Sequence, residues 1–146
     1  AFIRPHLEQG HIVICDRYAD STMAYQGHGL GLDFDTLRTI TAFATRELTP
    51  DLTLYLDVPV ETGLKRRLGP SNDLGAGNSG TQLPLFDKVD RLDMKDLEYH
   101  RRVQQGYEQL RQAEPERWHR VDANRPLEQV QDDVRRKVLS VLEDRS

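Results

Sequence analysis

Asp16 and Arg17 stand together at the end of an apolar run, His11-Ile-Val-Ile-Cys15. A short polar segment follows, with Tyr18, Asp20, Ser21, Thr22, Tyr25 and Gln26. A carboxylate can hold Mg2+ directly or through water, and a guanidinium can grip a phosphate through two parallel hydrogen bonds. Neighbours of these types at the carboxyl end of a strand can serve one polyphosphate, and that edge is where open α/β sheets present ligands. The tripeptide Asp16-Arg17-Tyr18 alone leaves a second reading open, an ion pair that only caps the sheet.

The elements that must position this pair follow from the pattern of the chain. Phe2, Ile3 and Leu7 fit the apolar side of a helix end, and Gly10 fits the position that stops it. Residues 11–15 read as a strand. Gly27-His28-Gly29-Leu30-Gly31 reads as a flexible connection. Asp33 is the expected N-cap of a helix with the stripe Phe34, Leu37, Ile40, Phe43 or Ala44, and Leu48. Thr49-Pro50-Asp51 breaks it, residues 52–58 read as a second strand ended by Pro59, and residues 60–68 as a short helix. A long helix is expected from about Lys88 to Ala113 with Leu92, Val103, Tyr107 and Leu110 inward, then a third strand over residues 117–122. Pro126 suits the first turn of a last helix, with Leu127, Val130, Val134, Val138, Val141 and Leu142 on one face. Residues 69–84 hold four glycines, two prolines and two serines without an apolar face, so they read as a mobile lid insert inside one domain, 1–146.

Strands that alternate with crossover helices imply parallel strands and right-handed connections, hence a three-layer α/β/α sheet. Three strands make a thin parallel sheet that needs cover on both faces. At least one more strand and its helix are therefore expected upstream of Ala1.

With 37% hydrophobic and 30% charged residues over 146 positions, the composition suits one soluble globular domain. A net charge of −4 gives no general attraction for nucleic acid. No apolar run approaches the roughly 18 residues of a membrane span, and no secretory signal pattern is present. The single Cys15 suits a reducing, cytoplasmic setting and reads as a small buried packing residue. His6, His11, His28, His100 and His119 show no metal-ligand spacing and, with Cys15 alone, make no zinc site. Trp118 reads as packing.

Taken in order, Asp16-Arg17-Tyr18-Ala19-Asp20-Ser21-Thr22-Met23-Ala24-Tyr25-Gln26-Gly27, Thr49-Pro50-Asp51-Leu52-Thr53-Leu54-Tyr55-Leu56-Asp57-Val58, Gly63-Leu64-Lys65-Arg66-Arg67, Asp90-Arg91-Leu92-Asp93 and Val121-Asp122-Ala123 resemble the thymidylate kinase family of P-loop nucleoside monophosphate kinases. The likeness covers nearly the whole chain outside residues 69–84. It implies that Asp16 and Arg17 lie beside Mg2+ and the phosphates. Ser21 and Thr22 would line the nucleoside pocket, Thr22 at the thymine edge, and Tyr25 would lie against the deoxyribose, with Gln26 in the same element. Hydroxyls suit an imide edge, and a ring can screen the sugar. An ordinary polar helix start is the other reading of this segment.

The resemblance also makes residues 63–93 a lid, with Arg66 or Arg67 near the ATP base or phosphates and Arg91 closing it. Cations brought in by a closing segment can stabilise charge on a moving phosphoryl group. A solvated basic helix end that offsets the helix dipole is the alternative for Arg66 and Arg67. Ala123 and Asn124 would pack on the adenine of ATP, or else only cap the last helix. A phosphate-cradling Gly-x-x-x-x-Gly-Lys-Ser/Thr occurs nowhere in these residues. The family carries it after a first strand, so its place is expected upstream of Ala1. The implied activity is transfer of the γ-phosphoryl of ATP to dTMP with Mg2+, giving dTDP and ADP, in a homodimer to which the apolar sides of the first two helices contribute. A deoxynucleoside kinase and a non-catalytic nucleotide-binding module are the alternatives.

Overall fold

Strands β1 (Thr53–Asp57) and β2 (Trp118–Asp122) run parallel, with Thr53 opposite Trp118 and Asp57 opposite Asp122. The computed structural model describes the backbone of residues 2–68 and 86–144, and the side chains of residues 2–66 and 95–144. Backbone bonds continue the ladder past both ends: the Thr53 N–H donates to the Arg117 carbonyl and the Ala123 N–H to the Asp57 carbonyl, each at 2.7 Å. A parallel pair cannot be joined by a tight turn. Here α4 (Val60–Leu68) and the long α5 (Phe86–Ala113) lie between the two strands in sequence. α6 (Leu127–Glu143) follows β2 and packs beside it. The chain is thus α/β with a parallel sheet.

The remaining helices precede the sheet. α1 (Ile3–Glu8) stops at Gly10, whose φ of +79° is the left-handed value that glycine adopts without strain. α2 (Ala19–Thr22) runs directly into a seven-residue π-helix, Met23–Gly29. α3 (Phe34–Thr45) is capped by Asp33, whose Oδ1 accepts from the Thr36 N–H at 2.8 Å and its hydroxyl at 2.6 Å. The core lies where the π-helix crosses α5 and α5 covers the sheet, and it buries Met23, Ala24, Leu37, Val103, Trp118 and Val121.

Four expectations change. Residues 11–15 form no strand, and the described sheet has two strands rather than three. A strand is held by a neighbour's backbone groups, and nothing among the described residues pairs with this one, so Ile12 is 67% and Ile14 93% exposed. For the same reason Cys15 is exposed rather than buried. The glycines after Gln26 are not a flexible connection. Gly27 and Gly29 sit buried in the π-helix, where a Cβ would lie 2.7 Å from the Phe34 ring and 2.6 Å from the Tyr99 ring respectively. Of the α3 stripe only Leu37 is buried, while Ile40 and Phe43 are exposed. The side chains of Arg67, Asp90, Arg91 and Leu92, and the insert 69–84, lie outside the described residues.

Candidate active site

The segment after Cys15 turns sharply, and Arg17 takes φ +60°, a left-handed value that is strained for a side chain of its size. The turn carries the Arg17 guanidinium over the face of Tyr25, 4.1 Å from the ring centroid. That distance is well inside the range for cation–π attraction. Asp16 is exposed beside it. The sequence therefore placed two candidate residues eight positions apart, and the fold joins them directly.

Tyr25 belongs to an aromatic group spanning four elements. Its ring meets Tyr99 and Tyr107 of α5 edge-on, with centroids 6.3 and 6.1 Å away. Tyr107 stacks on Tyr55 of β1 at 5.2 Å, and both rings meet Trp118 edge-on. Ser21 is buried, its hydroxyl 2.8 Å from the Tyr107 hydroxyl. Thr22 is half-buried at the end of α2, and Gln26 lies in the π-helix, where its carbonyl accepts from the Leu32 N–H. A π-helix places one extra residue per turn, and such segments gather at functional sites.

At the carboxyl ends of the strands lies a cleft of about 520 Å3, lined in part by Asp57, Arg101, Gln104, Arg120, Asp122 and Asn124. Burial pushes the Asp57 carboxyl up. Hydrogen bonds from Gln104 (2.9 Å), Arg120 (2.7 Å) and the Tyr55 hydroxyl (3.1 Å) outweigh it and hold the group below its ordinary value. Burial, and then the Asp57 charge, drives the Tyr55 phenol far above its ordinary range. Next to the cleft, Arg66 of α4 donates to the Ala123 carbonyl at 3.1 Å. Two residues assigned separately to the ATP side thus touch. Asn124 is exposed, and its N–H is held by the Asp122 carboxylate at 2.9 Å.

A sequence model of thymidylate kinase matches residues 1–134. The chain belongs to the thymidylate kinase family. It is 50% identical over 132 residues to the thymidylate kinase of Roseiflexus sp. (strain RS-1), covering 90% of this chain and 57% of the relative. It is 52% identical over 134 residues to that of Roseiflexus castenholzii, covering 90% and 56%. It is 46% identical over 140 residues to that of Thermomicrobium roseum, covering 96% and 60%. The chain spans a little over half the length of these thymidylate kinases.

Among the described residues no three His, Cys, Asp or Glu side chains gather as a metal-ligand group, and no helix is long and apolar enough to cross a membrane. A single exposed carboxylate such as Asp16 fits Mg2+, which keeps several waters and takes one or two carboxylates together with substrate phosphates.

Sequence reasoning treated Tyr107 only as an inward residue and gave Tyr99 no place. The signal for both was available. Tyr99, Val103, Gly106 and Tyr107 follow helical spacing and form the α5 face that meets the π-helix.

Proposed function

We propose that this chain contributes the acceptor side and lid of a dTMP kinase that moves the γ-phosphoryl of ATP to dTMP. Membership of the thymidylate kinase family carries the reading. Two contacts support it: Arg17 over Tyr25 on the acceptor side, and Arg66 on the Ala123 carbonyl on the ATP side. In this reading Arg17 grips phosphate while Ser21, Thr22, Tyr25 and Gln26 line the nucleoside. Arg66, Arg67 and Arg91 close over ATP, and Ala123 and Asn124 face its base. Asp16 holds Mg2+, which neutralises phosphate charge when bound. Chemistry of this class is positioning and charge stabilisation, so no covalent nucleophile is required.

The finer architecture in this reading is the three-layer P-loop NTPase sheet, to which β1 and β2 contribute. The exposed Ile40 and Phe43 of α3 support a homodimer contact. Steady-state phosphoryl transfer by the intact gene product, with dTMP and thymidine as competing acceptors, tests the function. Preference for dTMP is expected. Preference for thymidine would make it a deoxynucleoside kinase, and nucleotide binding without turnover would make it a binding module. Residues 1–146 by themselves hold no phosphate-cradling motif, and the expected turnover for them alone is nil.

A further inference from the structure

α2 has a single turn, and its N-cap residue Tyr18 makes no side-chain capping bond. One turn cannot sustain itself, because nucleating a helix fixes several backbone angles for one hydrogen bond. The uncapped first turn of the α2–π-helix segment, with Ser21 and Thr22, therefore gains from an anchor beyond the packing of the π-helix on α5. Asp20 supplies one.

Its carboxylate meets Arg117, 97 positions away, in a two-pronged pair: Nη1 to Oδ2 and Nη2 to Oδ1, both 2.7 Å. The partners are 14% and 13% exposed, so solvent screens the pair little. The Thr53 hydroxyl closes the set, accepting from Arg117 at 2.9 Å and donating to Asp20 at 3.2 Å. Glu114 takes the two remaining guanidinium N–H groups at 2.6 and 3.1 Å. All five donors of Arg117 are thus used. A guanidinium so occupied has nothing left for a phosphate, and its fork is already fixed in the plane that Asp20 requires.

We propose that Asp20, held by Arg117 and Thr53, is a positioning element that pins the acceptor-lining segment to the start of β1 and β2. The inference rests on the dTMP kinase reading for its consequence in binding, but the pinning itself does not. Asp20 touches no reacting atom in this account. It fixes where the adjacent Ser21 begins, and through it the register of Thr22 and Tyr25.

Two readouts on the intact gene product test this. In Asp20→Asn, the KM for dTMP should rise about tenfold or more while the KM for ATP stays within about twofold, a split that general loss of folded protein does not produce. Amide hydrogen exchange at residues 20–25 should quicken about tenfold, with α6 unchanged. Arg117→Lys, which keeps charge but loses the fork, should lie between, and Thr53→Ser should behave as wild type. A folded Asp20→Asn protein with wild-type exchange at residues 20–25 overturns the proposal, whether or not dTMP is the substrate. Normal exchange-corrected folding with no dTMP turnover in wild type would instead sink the kinase reading. If Asp20→Asn does not fold, Thr53→Val decides: its β-branched side chain suits the strand and removes only the hydroxyl. Unchanged exchange and KM in that variant overturn the proposal, and a selective change in both supports it.

Discussion

The Arg17 guanidinium covers the ring of Tyr25 at 4.1 Å, so the residue proposed to grip phosphate rests on the residue proposed to face the sugar. Partly exposed cation–π contacts are worth about 0.5–1 kcal/mol, or roughly two- to fivefold in affinity. Tyr25→Phe keeps the ring face and should bind dTMP within about twofold of wild type by calorimetry. Tyr25→Leu should lose about fivefold. Equal affinity in both variants would show that the ring does not support Arg17.

Arg17 also carries backbone strain at φ +60°. A left-handed residue with a Cβ costs about 1–2 kcal/mol, and glycine removes that while losing about 0.5–1 kcal/mol to the entropy of the unfolded chain. Glycine also gives up the contact with Tyr25, about 0.5–1 kcal/mol, so Arg17→Gly should unfold close to the wild-type denaturant concentration, while its dTMP affinity falls by about tenfold or more. A loss of stability above about 1 kcal/mol would mean that the side chain, not the ligand, holds this turn.

Ser21 and Tyr107 share a hydrogen bond of 2.8 Å in a largely buried place. Removing one hydroxyl strands the other, at about 1–3 kcal/mol, whereas removing both is milder. Tyr107→Phe and Ser21→Ala should each destabilise, and the double variant should lose less than their sum by about 1 kcal/mol. Denaturant titration of the four proteins measures this, and strict additivity would rule the bond out as a stabilising contact.

Helices α1 and α3 to α6, both strands of the parallel pair and the Asp33 cap were legible because each is written locally, in apolar spacing or a capping residue; α2 and the π-helix were not. The site was legible in part. The Asp16–Gln26 run could be read, but not that Arg17 would lie on Tyr25, since nothing in the spacing from 17 to 25 announces a turn with φ +60°. Asp20 with Arg117 was out of reach, because a pair 97 residues apart leaves no local pattern. The glycines of residues 27–31 misled for the opposite reason. Glycine marks flexibility and close packing alike, and only the Phe34 and Tyr99 rings tell them apart here. Residues 11–15 show that a short apolar run specifies a strand only where a partner ladder exists.

Gly106 lies where α5 passes under His28, and a Cβ there would come within 2.5–2.7 Å of three His28 atoms, its Cβ included. That last atom cannot swing away. Alanine gains about 1 kcal/mol of helix propensity, but overpacking costs about 1–3 kcal/mol. Gly106→Ala should therefore lower stability by about 1 kcal/mol or more. Gly63→Ala in α4 meets its nearest atom at an ordinary 3.4 Å and should raise stability by up to about 1 kcal/mol. Thermal melts of the two variants check the pair, and the same sign in both would mean that propensity alone decides.

His28 lies edge-on to the Phe34 ring at 4.6 Å, and burial holds its imidazole below the ordinary value of 6.5. The neutral ring is thus favoured in the folded chain. As pH falls below 6.5, the unfolded chain takes up this proton before the folded chain does, so stability drops across the window from 6.5 down to the folded value. Above that window the contribution is fully present. His28→Phe keeps a ring against Phe34 and cannot titrate. Its stability should fall less steeply than wild type between about pH 6.5 and pH 5 in urea titrations. Identical slopes would show that His28 takes its proton equally in both states, and the packing of the π-helix on α5 would then be indifferent to the charge at its centre.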